Sequence, residues 1–121
     1  MPPTLTFSPS AVRDVVRGED LIVVCQGSAD PSPTIKWFRG DQQLGVGHQT
    51  SVNASIISQS IDGITTRSQL TVMGFTSEEA GVYSCAAVNA LGNDSRSFQV
   101  NTVGEPPNSY VLLFINYVLY S

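Results

Sequence analysis

Two cysteines, Cys25 and Cys85, and one histidine, His48, are the side chains of this chain best suited to bind a metal or form a covalent bond. A structural zinc site takes about four ligands, with Cys or His residues in closely spaced pairs. The cysteines lie 60 positions apart, from residue 25 to residue 85, so the sequence predicts no metal site. A single disulfide fits better and implies an oxidising compartment. Two buried thiols in an intracellular domain are the alternative.

No catalytic pattern accompanies these residues. The chain contains no nucleophile elbow, no phosphate-binding loop and no paired-carboxylate motif. His48 stands alone in a segment predicted to be a loop, where a histidine is more often a surface residue than a general base. The sequence therefore predicts no enzymatic activity and no cofactor.

The tripeptide Arg39-Gly40-Asp41 is the pattern that integrins recognise, and it falls at a predicted turn. In that function the glycine holds a cation and a carboxylate apart, and the carboxylate completes a metal site on the receptor. The structural interpretation is favoured, because Gly40 and Asp41 are residue types that make a bend after a strand.

Two acceptor patterns for N-linked glycans are present, Asn53-Ala54-Ser55 and Asn93-Asp94-Ser95. Both asparagines fall at positions predicted to be exposed. If the chain is secreted, we expect a glycan on at least one of Asn53 and Asn93.

The composition favours a compact β protein that binds other proteins. Hydrophobic residues make up 41% of the chain, charged residues only 13%, and the formal net charge is −4. Nucleic-acid binding needs a cluster of basic residues, whereas the six basic residues here are scattered, which argues against that function.

Short segments rich in β-branched residues alternate with turn signals, which predicts a sandwich or barrel. Within a segment, every second residue points to the same face, so Leu21, Val23 and Cys25 are predicted to point inward. Asp62-Gly63 is a strong hairpin signal. The predicted strands are residues 21–25, 34–39, 51–58, 66–73, 82–88 and 97–103, with a one-turn helical connection at 76–80.

The order and spacing of three residues indicate a family. Trp37 follows Cys25 by 12 positions and precedes Cys85, and residues 79–85 read Glu-Ala-Gly-Val-Tyr-Ser-Cys. On these motifs the stretch from about residue 5 to residue 103 resembles an immunoglobulin-like domain of the intermediate set. The resemblance implies an all-β, two-sheet Greek-key sandwich.

The resemblance also implies roles for individual residues. Trp37 packs on the disulfide between the sheets, and the Tyr83 hydroxyl bonds to nearby backbone in a tyrosine corner. Trp37, Tyr83 and Leu70 are accordingly predicted to be core residues. In related domains a pair such as Arg67 and Glu79 ties a strand to the connecting turn, and we weigh this pair evenly against two solvated charges.

Residues 1–104 are predicted to form the domain, and residues 105–121 an apolar tail. Residues 110–121 are shorter than the roughly 20 residues that a spanning helix needs, so we interpret them as a truncated membrane segment or an aberrant terminus. The first residues lack the features of a signal peptide, which suggests a fragment or processed form. Membrane attachment is then possible only through missing or truncated segments.

The sequence therefore predicts an extracellular or cell-surface module that binds other proteins, of its own or another kind, in an adhesion molecule or receptor ectodomain. The alternatives are a structural module of an intracellular muscle-type filament protein and a piece of a receptor tyrosine kinase ectodomain. Ile22, Val24 and Phe38 are predicted to point outward and are candidates for a contact patch.

Overall fold

The computed structural model of the chain describes residues 1–45 and 52–104, and these residues form two β-sheets packed face to face. The prediction of an all-β, two-sheet immunoglobulin-like sandwich is confirmed. His48, Ser51 and the predicted tail at 105–121 lie outside the described residues. The strands are β1 (Thr4–Phe7), β2 (Val12–Val16), β3 (Leu21–Ser28), β4 (Thr34–Arg39), β5 (Gln42–Gln43), β6 (Ala54–Ser60), β7 (Thr65–Val72), β8 (Gly81–Asn89) and β9 (Gly92–Val103).

The first sheet holds four strands in the order β1-β3-β7-β6, and the second holds five in the order β2-β9-β8-β4-β5. Neighbouring strands are antiparallel except for β2 and β9, which run parallel. The N-terminal stretch changes sheets between Phe7 and Val12, since β1 pairs with β3 and β2 pairs with β9. As a result β1 covers only the far end of β3, at residues 26–28.

The alternation of apolar and polar residues sets which side of each strand is buried. In β3, Leu21, Val23 and Cys25 are buried, whereas Ile22 between them is exposed. Tyr83 and Ala87 follow the same rule in β8. Successive side chains of a strand point to opposite faces, so these runs can bury only one set of residues between the sheets.

Aromatic rings and the disulfide fill the centre of the sandwich. The sulfur atoms of Cys25 and Cys85 are bonded, which joins the two sheets, and Trp37 is the strand neighbour of Cys85. The Trp37 ring meets the edge of Phe98 with centroids 6.4 Å apart, and Phe98 stacks on Tyr83 at 6.1 Å. Trp37, Tyr83 and Leu70, which the family motif marks as core positions, are each 0% exposed.

A buried hydroxyl satisfies the one polar atom of the central tryptophan. Trp37 Nε1 donates to Ser68 Oγ at 2.8 Å, and Ser58 Oγ donates to the same oxygen at 2.8 Å. Ser68 is fully buried on β7. An indole N–H without a partner in this core would be destabilising, so Ser68 makes the burial of the whole ring favourable.

Strands β1, β2 and β5 were not predicted as separate elements. Only Val15 of β2 is buried, so β2 shows no alternation, and its conformation comes from pairing with β9.

The predicted connection at 76–80 forms turns rather than a helix, but its cap is as expected. The Thr76 amide donates to Glu79 Oε1 at 2.6 Å, and the Glu78 amide donates to Thr76 Oγ1 at 3.2 Å.

Candidate protein-binding surface

The outer face of the five-stranded sheet is broad and carries little charge. In register across β4, β8 and β9 lie the rows Phe38-Ser84-Ser97 and Lys36-Ala86-Ser95. The next row joins the half-exposed Val82 to Gln99 and, on β2, to Val12. Small side chains at the centre with apolar ones around them give a surface onto which another sheet can pack closely.

Two of the sequence-predicted sites lie at the ends of the sandwich. Asn93 is exposed on β9, in register with Val88, at one end of this outer face. Asn53 is exposed just before β6, and its carbonyl accepts a hydrogen bond from the Met73 amide at 3.1 Å. Both side chains are placed where a glycan fits without entering the core, and glycosylation of either stays a prediction.

The integrin-type tripeptide lies at the turn after β4. Gly40 has a φ of +57°, and Asp41 is exposed. Arg39 points back into the fold, because its Nη2 atom donates to the carbonyl oxygens of Glu78 at 2.6 Å and Ala80 at 2.9 Å. This geometry favours the structural interpretation of the tripeptide. Integrin binding is the alternative, and it would be excluded if cells attached to the Asp41→Glu variant as well as to the unchanged protein.

Replacing Arg39 with Gln is expected to lower the free energy of unfolding by about 1–2 kcal/mol, because both bonds to the 78–80 turn are lost and the site is partly exposed. Asp41→Ala is the matched control, and we expect it to change stability by less than about 0.5 kcal/mol. Urea denaturation followed by tryptophan fluorescence measures both. Equal stabilities for Arg39→Gln and the unchanged protein would show that the two bonds have no net effect.

Tyr83 and Glu79 join β8 to the preceding turn. The Tyr83 hydroxyl donates to the Glu79 carbonyl oxygen at 2.6 Å, and burial raises the pKa of Tyr83 to about 12. Of the two possibilities weighed evenly for Arg67 and Glu79, the ion pair is not formed among the described residues. The Glu79 carboxylate instead accepts from the amide and hydroxyl of Thr76. The register of β7 pairs Arg67 with Gln26 and Gln59 and directs it to the outer face of the other sheet.

Asp94 links the two sheets through the N-terminal strand. Its Oδ2 atom accepts from the Leu5 amide of β1 at 2.8 Å, and its Oδ1 atom lies 2.9 Å from Nη1 of Arg96. The Leu5 bond first, and the Arg96 guanidinium second, lower the pKa of the Asp94 carboxyl. This contact was not predicted, since nothing in the sequence relates positions 5 and 94.

Asp94→Asn is expected to destabilise the protein by about 1 kcal/mol at neutral pH, since the site is partly exposed and screened by solvent. The folded-state pKa is lowered, so the stabilisation is present above the unfolded pKa of about 3.9 and is lost as pH falls through the folded value. Unfolding of both proteins between pH 7 and pH 2 should show the difference shrinking in acid. A difference that is constant with pH would contradict this role of the charge. The substitution keeps the Asn93 acceptor pattern intact.

The two cysteines, which could have been metal ligands or nucleophiles, form a structural disulfide instead. Cys25 and Cys85 are bonded to each other, and no group of three or more His, Cys, Asp or Glu residues capable of holding a metal exists among the described residues. Within the same ranges, no helix has the length and hydrophobicity required to cross a membrane.

Comparisons with known proteins agree with this geometry. A family model described as an immunoglobulin domain matches residues 2–89. The chain belongs to the immunoglobulin domain family. Domains of this family are binding modules without catalytic activity, so the prediction that the chain is not an enzyme is confirmed. The match does not decide the intermediate-set subtype.

Among related sequences, neuronal growth regulator 1 of Gallus gallus is 32% identical over 110 residues, which covers 88% of this chain and 28% of that protein. Limbic system-associated membrane protein of Mus musculus is 31% identical over 118 residues, which covers 95% of this chain and 31% of the relative. This immunoglobulin domain therefore spans less than a third of either relative. The second of these relatives is by its name a membrane protein.

A solved structure of a protein complex gives a second comparison. In the crystal structure of the complex of titin M10 with an obscurin-like 1 immunoglobulin domain (F17R mutant), the matched chain is 30% identical with a TM-score of 0.67. The match covers 88% of this chain and 97% of that one. Immunoglobulin domains similar to this one thus occur in a membrane protein and in a complex between two proteins.

Sequence reasoning missed several core residues. Phe75 is fully buried in a turn, where its ring meets Tyr83 with centroids 6.3 Å apart. Leu44 and Val52 are also buried, although neither was among the residues predicted to point inward. The available signal was a large apolar residue inside a turn or loop, but this signal alone does not establish burial, because Ile61 and Leu91 are exposed in such segments.

Proposed function

We propose that this immunoglobulin domain is an extracellular or cell-surface binding module, part of an adhesion molecule or receptor ectodomain. The similarity to limbic system-associated membrane protein over 95% of the chain is the single observation that carries the proposal. The buried Cys25–Cys85 disulfide and the exposed acceptors Asn53 and Asn93 support it, since disulfides and N-glycans belong to the secretory pathway.

The binding surface in this proposal is the outer face of the five-stranded sheet. Ser84 and Ala86 lie at its centre, and Lys36 is the cation of the central rows. A surface with few charges loses little hydration when another protein covers it. The partner is a second immunoglobulin-type surface, on a copy of this chain or on another protein.

The test is a bead assay with the full chain, oxidised and glycosylated. Beads that carry the protein are expected to cluster with one another if the partner is a second copy, or to bind protease-sensitive sites on cultured cells if it is another protein. Ser84→Arg places a long cation at the centre of the face and should reduce either form of binding by about tenfold or more, because a buried unpaired charge is costly.

Thr71→Arg is the matched control, since Thr71 points outward from β7 on the opposite sheet. It makes the same kind of change on the other face and should leave bead binding within about twofold. Equal losses for the two variants, or no binding by the unchanged protein to beads or cells, would refute the proposed surface.

A structural module of an intracellular filament protein is the second candidate, and the 30% identity to a domain in the titin–obscurin-like 1 complex favours it. A non-reducing peptide map of protein from its native source separates the two. A linked Cys25–Cys85 peptide with glycans on Asn53 or Asn93 supports the extracellular module. Free thiols and bare asparagines support the filament module.

A further inference from the structure

The outer face of the four-stranded sheet carries an exposed apolar groove beside β3. Phe7, Ile22 and Ile57 are 57%, 47% and 64% exposed. With the half-buried Val24 they surround a depression that continues toward Arg13 and the change of sheets after β1. We call this depression the β3 groove.

The edge of β3 next to this groove has no neighbouring strand. β1 pairs with residues 26–28 only, and no other described strand pairs with β3 on that side. The Ile22 carbonyl oxygen accepts a bond from Arg13 Nη2 at 3.2 Å, which shows that the polar backbone groups of Ile22 point toward the open side. Those of Val24, two residues on, point the same way because backbone groups alternate along a strand.

The charged side chains that line the groove, Arg13 and Arg67, are both cations, whereas Glu19 and Asp20 lie outside the lining just before β3. The four strands of this sheet contain no Asp or Glu, whereas the chain as a whole has a net charge of −4. Arg67 lines the groove, and within the described residues its guanidinium has no hydrogen bond or ion pair. Arg13 contacts only the neutral Ile22 carbonyl there. These two lining cations favour a ligand that carries carboxylates.

We propose that the β3 groove binds an extended acidic segment of a partner protein, which adds as a strand to the open edge at residues 21–24. Backbone bonds to Ile22 and Val24 would hold the segment, and alternate apolar side chains would cover Phe7 and Ile22. A carboxylate on the same face would reach Arg13, or, beside Val24, Arg67, which lies two strands away and two residues further along β3 at about 12 Å. Since this groove is on the sheet opposite the proposed adhesion surface, the inference does not rest on that function.

The positive charges of the groove favour an acidic partner segment over two other occupants, a second copy of the chain and the chain's own residues 110–121. In a symmetric pair of copies the same patch lies on both sides, so the cations Arg13 and Arg67 of one copy would meet a lining whose charged side chains are also cations, which is unfavourable. Residues 110–121 of the chain contain no carboxylate and would leave both arginines unpaired. An acidic partner segment would bond to the open backbone groups of β3, cover the exposed apolar side chains of the groove, and place carboxylates near both arginines.

The test is an NMR titration of the full chain with a ten-residue peptide of alternating valine and glutamate. We expect saturable shifts of the Ile22 and Val24 amides. Arg67→Glu should weaken binding by about tenfold or more, while Lys36→Glu, the same charge reversal on the other sheet, should change it by less than about twofold. A peptide with lysine for glutamate, and one with N-methylated backbone, should each bind at least about tenfold more weakly.

Several results would overturn the inference. These are no saturable shift up to about 1 mM peptide, shifts confined to the other sheet, or equal losses for Arg67→Glu and Lys36→Glu. Contacts from residues 110–121 to Ile22 in the free protein would identify the chain's own tail as the occupant instead. Shifts of Ile22 and Val24 that grow with protein concentration alone would identify a second copy. Arg67→Glu is expected to leave bead binding unchanged, so failure of this inference and failure of the proposed adhesion surface are distinguishable.

Discussion

Replacing Cys25 and Cys85 together with alanine is expected to lower the free energy of unfolding by about 4 kcal/mol. The bond closes a loop with a sequence separation of 60, so its loss frees a large part of the unfolded chain. Typical domains are stable by only about 5–15 kcal/mol, so a loss of this size removes between about a quarter and four fifths of the stability. Urea denaturation of oxidised protein, followed by Trp37 fluorescence, measures the difference.

Two controls separate the covalent bond from packing. The double valine variant restores apolar volume at both positions and should recover only part of the lost stability. Reduction of the unchanged protein should bring its urea midpoint close to that of the alanine variant. If the alanine variant were within about 1 kcal/mol of the oxidised protein, the disulfide would not be a main source of stability.

Trp37→Ala is expected to cost about 3–5 kcal/mol, the second large effect. The ring is fully buried, packs edge-on against Phe98 and donates to Ser68. Its loss leaves a cavity at the centre of the sandwich that the strands cannot close without breaking their pairing. Because Trp37 is the single tryptophan, unfolding of this variant should be followed by far-ultraviolet circular dichroism.

Two smaller changes divide that effect between packing and hydrogen bonding. Trp37→Phe keeps an aromatic ring, and Ser68 retains Ser58 as a partner, so a clearly smaller loss is expected. Ser68→Ala keeps the tryptophan but leaves Nε1 buried without its acceptor, which should cost about 1–3 kcal/mol. A loss for Trp37→Phe as large as that for Trp37→Ala would show that ring volume is not the main contribution.

Much of the fold was readable from local pattern. The alternation in β3 and β8 identified the buried sets, and the spacing of Cys25, Trp37 and Cys85 identified the family. The reason is that a strand in a two-layer sandwich must be apolar on one side only. Where that condition fails, as in β2, the sequence shows no alternation, and only pairing with β9 reveals the strand.

The sequence by itself determined the two-sheet architecture, the central residues and the absence of catalytic chemistry, because these depend on residue type and spacing along single strands. Contacts between distant segments were decided by the tertiary structure. Only the folded register directs Arg39 to the 78–80 turn, sends Arg67 to the opposite face, and brings Asp94 to Leu5. The open edge of β3 follows from the same cause, since it exists only because the chain changes sheets after Phe7.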